Sequence, residues 1–334
     1  MGKDRWREKA DKIIASGLYE KAWRRERMEE QGWRLRGQRV QLPGELPDEL
    51  ASELSIKLPD ELSDGLSAGA FAGPDELRPL CYVEQIRRKG PVLLDIHGGG
   101  FVEGTAGADD ELCDYYHRKL GIAVISLDYR KAPAYPYPTA LWDIAAQIKW
   151  LCREKPWDIS PEQMIIMGHS AGGNLAASYC LLAGREGLPM PRAQVLDYPY
   201  LDLQMDCEDR PDMPEAITPG MMEIFRRAYD GGQGRTAESL MSPVLAKKEE
   251  LEGLPPALLL TCGRDSLCLE GQRYGKLLES AGVAVTELYC SEARHGFIEH
   301  TFNSRSRFEA AAGQKELACD TVDRIARWIE DLWN

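Results

Sequence analysis

The pattern of hydrophobic and polar positions changes near residue 80. Beyond it, short apolar runs alternate with stretches in which apolar residues recur at helical spacing. Seven apolar runs predict strands: CYVEQI, PVLLDIH, IAVISLDY, QMIIMG, AQVLDY, PALLLTCG and VAVTELY. Helical patterns cover 107–120, 138–153, 171–184, 269–281 and 314–333. This alternation predicts an α/β fold, with a mostly parallel central sheet that helices cover on both faces.

Three segments depart from this rhythm. Residues 3–36 are charged and Trp-rich, and they predict amphipathic helices anchored on a core. Residues 42–77 repeat the motif P-D-E-L three times, which favours short surface helices or a connector and indicates no function. Between the runs DYPYLDL and MSPVLA, nearly forty residues show helical character around 219–229. A lid is one interpretation of this insertion.

Composition excludes several classes of protein. A formal charge of −13 argues against nucleic-acid binding, which selects basic surfaces. No apolar run reaches the length of a membrane span, and the first residues, MGKDRWREKA, lack the apolar core of a signal peptide. The nine cysteines are scattered and form no C-x-x-C pair. We therefore expect a soluble, reduced, cytoplasmic protein without metal or cofactor.

The motif G-H-S-A-G places Ser170 between a predicted strand and a predicted helix. This is the setting that a G-x-S-x-G nucleophile turn requires, because the glycines permit a tight turn from which the serine projects. The helix that follows would direct its N-terminal N–H groups at a developing negative charge. The alternative is an ordinary serine that caps the helix.

A second motif, H-G-G-G at 97–100, follows the strand PVLLDIH. Its three glycines leave backbone N–H groups unobstructed, which suits an oxyanion hole. The alternatives are a glycine-rich turn or a phosphate cradle. No G-K-[ST] or G-x-G-x-x-G pattern follows, which weakens the phosphate interpretation.

A serine nucleophile needs a base, and the chain has five histidines. His97 belongs to the glycine loop, and His117 lies in a helical stretch. His169 adjoins the serine but is expected to point away from its Oγ, and His300 lies past the predicted strand end. His295, directly after the last predicted strand, is the remaining candidate; the alternative is a histidine on a surface loop.

The base in turn needs a carboxylate that holds its tautomer. Asp265 follows the strand PALLLTCG, about thirty residues before His295. Its alternative interpretation is a helix N-cap, and Glu270 is a weaker substitute for the orienting role. The order Ser170, Asp265, His295 is the chain order of the triad in α/β hydrolases.

Five motifs in register carry a family resemblance: HGGGF, YRKAP, GHSAGGN, DSL and HGF. Together they resemble the hormone-sensitive-lipase-like branch of the α/β hydrolases over roughly residues 90–300. The resemblance implies an oxyanion hole formed by Gly99, Gly100 and the backbone N–H of Ala171, with Gly98 shaping the loop. The chain has His169 where the family often has Asp, and we assign His169 no catalytic role.

The resemblance also implies a domain organisation. Residues 1–45 would form an N-terminal helical cap segment, and 46–334 the catalytic core, with 203–240 as the cap insertion.

The implied function is a serine carboxylesterase that hydrolyses short-chain acyl esters through an acyl-enzyme. The alternatives are a non-catalytic ligand-binding module on the same fold, and an amidase or peptide hydrolase with the same triad. The expected partner is a small ester, with a homo-oligomer as one possibility.

Overall fold

The computed structural model describes residues 2–19, 35–39, 77–211, 213, 216–305 and 313–333. In this part of the chain eight strands form one sheet: β1 (Gln38–Arg39), β2 (Leu80–Tyr82), β3 (Val92–Ile96), β4 (Ala123–Leu127), β5 (Met164–His169), β6 (Ala193–Asp197), β7 (Ala257–Arg264) and β8 (Val285–Arg294). Their spatial order is β1-β2-β4-β3-β5-β6-β7-β8. The neighbouring strands from β4 through β8 run parallel to one another, whereas β2 is antiparallel to both β1 and β4.

The α-helices of the described residues alternate with these strands: α1 (Gly2–Ala15), α2 (Asp110–Leu120), α3 (Thr139–Glu154), α4 (Ala171–Glu186), α5 (Pro219–Asp230), α6 (Lys248–Leu251), α7 (Cys268–Ser280), α8 (Phe297–Phe302) and α9 (Gln314–Asp331). The predicted α/β fold with a mostly parallel sheet is therefore confirmed. The five helices predicted beyond residue 80 match α2, α3, α4, α7 and α9 to within a few residues. The first of these predicted stretches begins as a 3₁₀ turn.

Helices bury both faces of the sheet, so its central strands have no exposed side. Every residue of β3, β4, β5 and β6 is buried. On one face, side chains of α3, α4 and α7 pack against the sheet, and on the other face those of α2 and α9 do so. Continuous apolar strands are what such two-sided burial requires, which is why they predicted a parallel sheet.

Strand β8 differs from its predicted form. The sequence predicted a buried strand within 283–289, but β8 runs to Arg294 and lies at the edge of the sheet, paired only with β7. Its buried residues, including Leu288 and Ala293, are interspersed with exposed polar ones. The polar positions hid its last five residues from a search for apolar runs. The extension matters because it carries the chain to His295.

Helix α5 lies in the predicted insertion and contacts two other parts of the chain. Helix α1 packs against it, and Arg227 of α5 donates to Asp11 of α1 at 2.7 and 2.6 Å. Tyr229 of α5 stacks on Phe101, just after the glycine loop, with ring centroids 3.8 Å apart. The predicted domain boundary at 45/46 and residues 42–76 lie outside the described residues.

Two global features bear on the expected environment. None of the described helices combines the length and apolarity that crossing a bilayer demands. All nine cysteines carry free thiols.

Candidate active site

Ser170 occupies the tip of a strained turn between β5 and α4. Its backbone has φ 55° and ψ −114°, a left-handed conformation that costs energy in a residue with a Cβ. The segment after β6 holds the turn from both sides. The Ser170 N–H donates to the Asp197 carbonyl at 2.9 Å, and the Ser170 carbonyl accepts from the Tyr200 N–H at 3.1 Å. The surrounding backbone thus fixes where the hydroxyl projects.

Two glycines of the motif let the helix approach the sheet closely. A Cβ at Gly168 would lie 2.2 Å from the Gly172 carbonyl oxygen, and one at Gly172 would lie 1.9 Å from the carbonyl oxygen of Ile96 in β3. Both distances are far below van der Waals contact. The G-x-S-x-G spacing is therefore required by backbone packing as well as by the turn.

The structure brings the three predicted triad residues together. His295 Nε2 lies 2.9 Å from Ser170 Oγ, and His295 Nδ1 lies 2.7 Å from Asp265 Oδ2. Each residue follows the carboxyl end of a different parallel strand, where reactive groups collect in open α/β sheets. The serine stands at the N-cap position of α4, yet its Oγ makes no capping hydrogen bond. The hydroxyl therefore remains available to His295.

Asp265 takes the orienting role and not the N-cap role, since the N-cap of α7 is Leu267 and has no side-chain cap. Its Oδ2 contacts His295, while its Oδ1 accepts the backbone N–H of Leu267 at 3.1 Å and closes the turn before α7. The carboxylate is 1% exposed, so water does not weaken its interaction with the imidazole.

The environment of His295 adjusts its basicity. Burial lowers the pKa of the imidazole, but the negative charge and hydrogen bond of Asp265 outweigh that effect, and the net shift of the pKa is upward. Glu299 and Glu270 add to the upward shift. In the neutral form, an Nδ1–H that donates to Asp265 leaves the Nε2 lone pair directed at Ser170 Oγ. That is the arrangement of a general base beside a hydroxyl nucleophile.

The glycine loop runs beside the serine. A Cβ at Gly98 would lie 3.5 Å from the Ser170 Cβ, and one at Gly100 (φ 58°) would lie 2.5 Å from Phe225 Cγ of α5. Among the described residues, the N–H groups of Gly99 and Gly100 donate no backbone hydrogen bond. Ala171, the first residue of α4, is buried next to the serine.

Two other histidines have structural roles. Burial, aided by the Lys131 charge, lowers the pKa of His97 to about 3, so its ring is neutral. That ring stacks on Tyr129 at 4.5 Å between centroids, and its Nδ1 bonds the Gly98 carbonyl at 2.7 Å. His117 bridges the Ile122 carbonyl at 2.7 Å and a backbone N–H at 3.1 Å. Neither histidine forms a hydrogen bond with the Ser170 hydroxyl.

Glu270, the weaker substitute for Asp265, serves another purpose. It accepts the backbone N–H of Leu201 at 2.5 Å and forms an ion pair with Arg210. Both side chains of this pair are 2% exposed. Glu270 therefore anchors the segment after β6 to α7 and makes no hydrogen bond to His295.

The sequence interpretation missed a charged cluster around His169. His169 Nε2 lies 3.2 Å from Asp95 Oδ1, and its Nδ1 lies 3.1 Å from Asp197 Oδ2, all three side chains being fully buried. Burial lowers the pKa of His169, but the two carboxylates outweigh it and raise the pKa well above its usual value. The sequence feature that could have revealed this cluster is a pair of aspartates, Asp95 and Asp197, at or near the carboxyl ends of the otherwise apolar strands β3 and β6.

The same cluster contains the only grouping of the described residues with metal-ligand spacing. Ligand atoms of Asp95, Asp109 and His169 lie within 4.8 Å of one another. However, an oxygen of Asp95 and an oxygen of Asp197 already lie 3.2 and 3.1 Å from the two nitrogens of His169. A carboxylate oxygen therefore occupies the position beside each ring nitrogen that a metal ion would need.

The fold and this site define a class of protein: an α/β protein with a Ser–His–Asp arrangement at the carboxyl edge of its sheet. Comparison with known sequences is more specific. The profile of a family described as alpha/beta hydrolase fold matches residues 93–299, and the chain belongs to this family. The resemblance seen in the five sequence motifs is thereby confirmed.

Similar curated proteins are ester hydrolases. The chain is 36% identical over 217 residues to the carboxylic ester hydrolase LipN of Mycobacterium tuberculosis, with 62% of this chain and 57% of that protein covered. It is 32% identical to the ethyl acetate hydrolase of Pseudomonas putida, covering 63% and 66% of the two chains. The chain thus matches somewhat less than two thirds of the length of these relatives.

Solved structures show the same architecture. An esterase from Pyrobaculum calidifontis superimposes with a TM-score of 0.68 at 29% identity, covering 77% of this chain and 81% of the other. A thermostable esterase from Pseudomonas putida superimposes with a TM-score of 0.68 at 26% identity, covering 77% and 79%.

Proposed function

We propose that this protein is a serine carboxylesterase. The observation that carries the proposal is the continuous hydrogen-bonded path from Ser170 Oγ through His295 to Asp265, at 2.9 and 2.7 Å. The similarity to proteins named as ester hydrolases and esterases supports it.

The proposed reaction has two halves. Ser170 Oγ attacks the carbonyl carbon of the ester while its proton passes to His295 Nε2, and Asp265 stabilises the imidazolium. The tetrahedral intermediate collapses when His295 returns that proton to the leaving alcohol, which leaves an acyl group on Ser170. Water, deprotonated by His295, then attacks the acyl carbon, and the serine is released with a carboxylic acid.

We propose the N–H groups of Gly99, Gly100 and Ala171 as donors to the oxyanion, with Gly98 as the residue that lets the loop pass the serine. The support is the position of the loop beside Ser170 and the lack of backbone acceptors for the two glycine N–H groups among the described residues. Each such donor contributes on the order of 3 kcal/mol to transition-state stabilisation.

We propose short acyl chains as substrates, with α1 and α5 acting as a cap. Phe225 of α5 packs directly on Gly100, and Ser170 is only 7% exposed. A ring pressed on the glycine loop leaves little width for a long acyl chain beside the serine. The relative named ethyl acetate hydrolase is in line with a two-carbon acyl group.

The test measures kcat/KM for p-nitrophenyl esters of acetate, butyrate, hexanoate and octanoate. We expect the acetyl and butyryl esters to react fastest, and Ser170→Ala to lower every rate at least about a thousandfold. Ser178→Ala is the matched control, because Ser178 is a buried serine two turns further along α4 that bonds Asn174 at 3.2 Å. It should retain wild-type rates.

Each alternative gives a different result. Absence of turnover for all four esters would refute the esterase and favour a ligand-binding module on the same fold. Faster cleavage of acetyl p-nitroanilide than of the matching ester would favour an amidase. Turnover that survives Ser170→Ala would show that another group is the nucleophile.

Two further proposals concern the setting of the protein. Nine free thiols support a reducing, cytoplasmic location. The edge strand β8 with its exposed Tyr289, and the exposed Leu269 at the start of α7, support a homo-oligomer. Light scattering at several protein concentrations measures the mass directly.

A further inference from the structure

A buried histidine lies directly before the nucleophile in sequence and near the base in space. The ring of Tyr198 packs against both imidazoles, with its centroid 6.3 Å from that of His169 and 5.2 Å from that of His295. The Tyr198 hydroxyl donates to Glu299, whose Oε1 approaches the glycine loop at Gly98. Charges in this cluster therefore act on the triad at short range and through little water.

Contacts on both ring nitrogens determine the charge of His169. A neutral imidazole has one N–H and one lone pair, so one of its nitrogens would direct a lone pair at a carboxylate. An imidazolium presents an N–H to Asp95 and another to Asp197, at 3.2 and 3.1 Å. The Asp197 contact is not a well-aligned hydrogen bond, and neither oxygen of that carboxylate has another partner among the described residues.

Asp95 fits the same charge assignment. Its second oxygen accepts from Ser126 Oγ at 3.0 Å and from Cys113 Sγ at 3.4 Å. These contacts suit a carboxylate that accepts from each of its three neighbours. A cation between two buried carboxylates gives each of them an oppositely charged neighbour, although burial raises the pKa of Asp197.

The remaining charged or titratable groups near the two histidines come from several elements. Burial raises the pKa of Asp109 well above its usual value. Around His169 lie Asp95 of β3, Asp109, Asp197 of β6, Tyr198, His97 and Glu299 of α8. Around His295 lie Asp265, Glu270 of α7, Tyr198, and Glu299 and His300 of α8. Apart from the histidines, none of these neighbours carries a basic side chain.

We propose that His169 is a positioning residue of the active site. Held as an imidazolium between Asp95 and Asp197, it fixes the β6 end whose carbonyl holds the Ser170 N–H, and its charge offsets the carboxylates that face His295. The proposal rests on the proposed function for its catalytic consequence. The charge state of His169 can be tested without it.

The first test is His169→Gln, which keeps a polar side chain and removes the positive charge. The uncompensated carboxylates should then stabilise protonated His295. We expect the acid limb of the kcat/KM profile to move up by about one pH unit. The rate of Ser170 phosphonylation by a fluorophosphonate should follow the same shifted profile, and this readout does not require ester turnover.

A second substitution separates charge from packing. The double variant His169→Gln/Asp197→Asn removes one positive and one negative charge, so its acid limb should return toward the wild-type position. A merely structural role predicts no such return, since the double variant disturbs the packing further. Ser126→Ala is the matched control, because it removes a hydrogen bond to Asp95 at 3.0 Å without removing a charge, and it should leave the position of the acid limb unchanged.

The charge itself is measured in the wild-type protein by NMR of ¹⁵N-histidine-labelled protein at pH 7.5. His169 is assigned by the resonances missing in His169→Gln, or in His169→Asn should the first variant fail to fold. Two protonated ring nitrogens support the proposal, and a neutral tautomer overturns it. An unshifted acid limb in His169→Gln also overturns it. Lack of Ser170-dependent ester turnover in the wild type refutes the esterase instead, while phosphonylation and NMR still decide the role of His169.

Discussion

At the scale of single residues, the proposed chemistry depends on one proton at His295. The net upward shift of its pKa, which Asp265 produces against the effect of burial, means that protonation persists to higher pH than in a free histidine. The protonated ring cannot accept the Ser170 proton, so activity is lost as the pH falls through this raised pKa. We expect the acid limb of kcat/KM for p-nitrophenyl acetate to lie above pH ~6.5, the ordinary histidine value.

The measurement is a full pH–rate profile with correction for spontaneous hydrolysis. Asp265→Asn removes the charge that raises the pKa, so its residual activity should show an acid limb at lower pH. An acid limb well below the ordinary histidine value in the wild type would contradict the prediction.

At the scale of elements, the close contact between α4 and β3 is the feature most sensitive to a single methyl group. Gly172→Ala would place a Cβ 1.9 Å from the Ile96 carbonyl oxygen, so the helix and strand would have to separate. We expect the free energy of unfolding to fall by about 2 kcal/mol or more, with a loss of kcat as the Ser170 turn is displaced. Urea unfolding and ester kinetics measure the two effects.

Gly184→Ala is the matched control within the same helix. The nearest atoms to its new Cβ would lie 3.7 Å away, which is ordinary contact, and alanine favours a helix over glycine. That variant should be more stable by about 0.5–1 kcal/mol. Equal destabilisation of both variants would show that the contact with Ile96 is not what matters.

The elements also show where sequence patterns are informative. Strands β3 to β7 were recognisable because burial on both faces demands unbroken apolar runs. Strand β2 was poorly delimited because only three residues, Leu80–Tyr82, pair in the sheet. The last residues of β8 were poorly delimited because an edge strand tolerates polar positions on its open side. The pairing partner that makes β8 a strand is a long-range contact, which a local window does not contain.

At the scale of the whole molecule, two ion pairs tie α5 and the segments around it to the rest of the chain, and they differ in burial. The Arg210–Glu270 pair is 2% exposed on both sides, whereas Arg227 and Asp11 are 32% and 54% exposed. Removing one partner of a buried pair leaves an uncompensated charge. We expect Arg210→Met to lower the free energy of unfolding by about 3–5 kcal/mol.

Arg227→Met should change it by about 1 kcal/mol at most, since water screens the exposed pair. Chemical denaturation of both variants, at low and high salt, makes the comparison. Equal losses in the two variants would contradict the role assigned to burial.

The sequence by itself determined the α/β architecture and the candidate groups Ser170, Asp265 and His295. It could do so because burial periodicity and glycine turns are local patterns with local physical causes. Only the tertiary structure decided that these three side chains meet at 2.9 and 2.7 Å, because they lie up to 125 residues apart and meet only when the parallel strands align their carboxyl ends. It also placed His169, which the sequence left unassigned, between two buried carboxylates, since Asp95 and Asp197 reach it from two other strands.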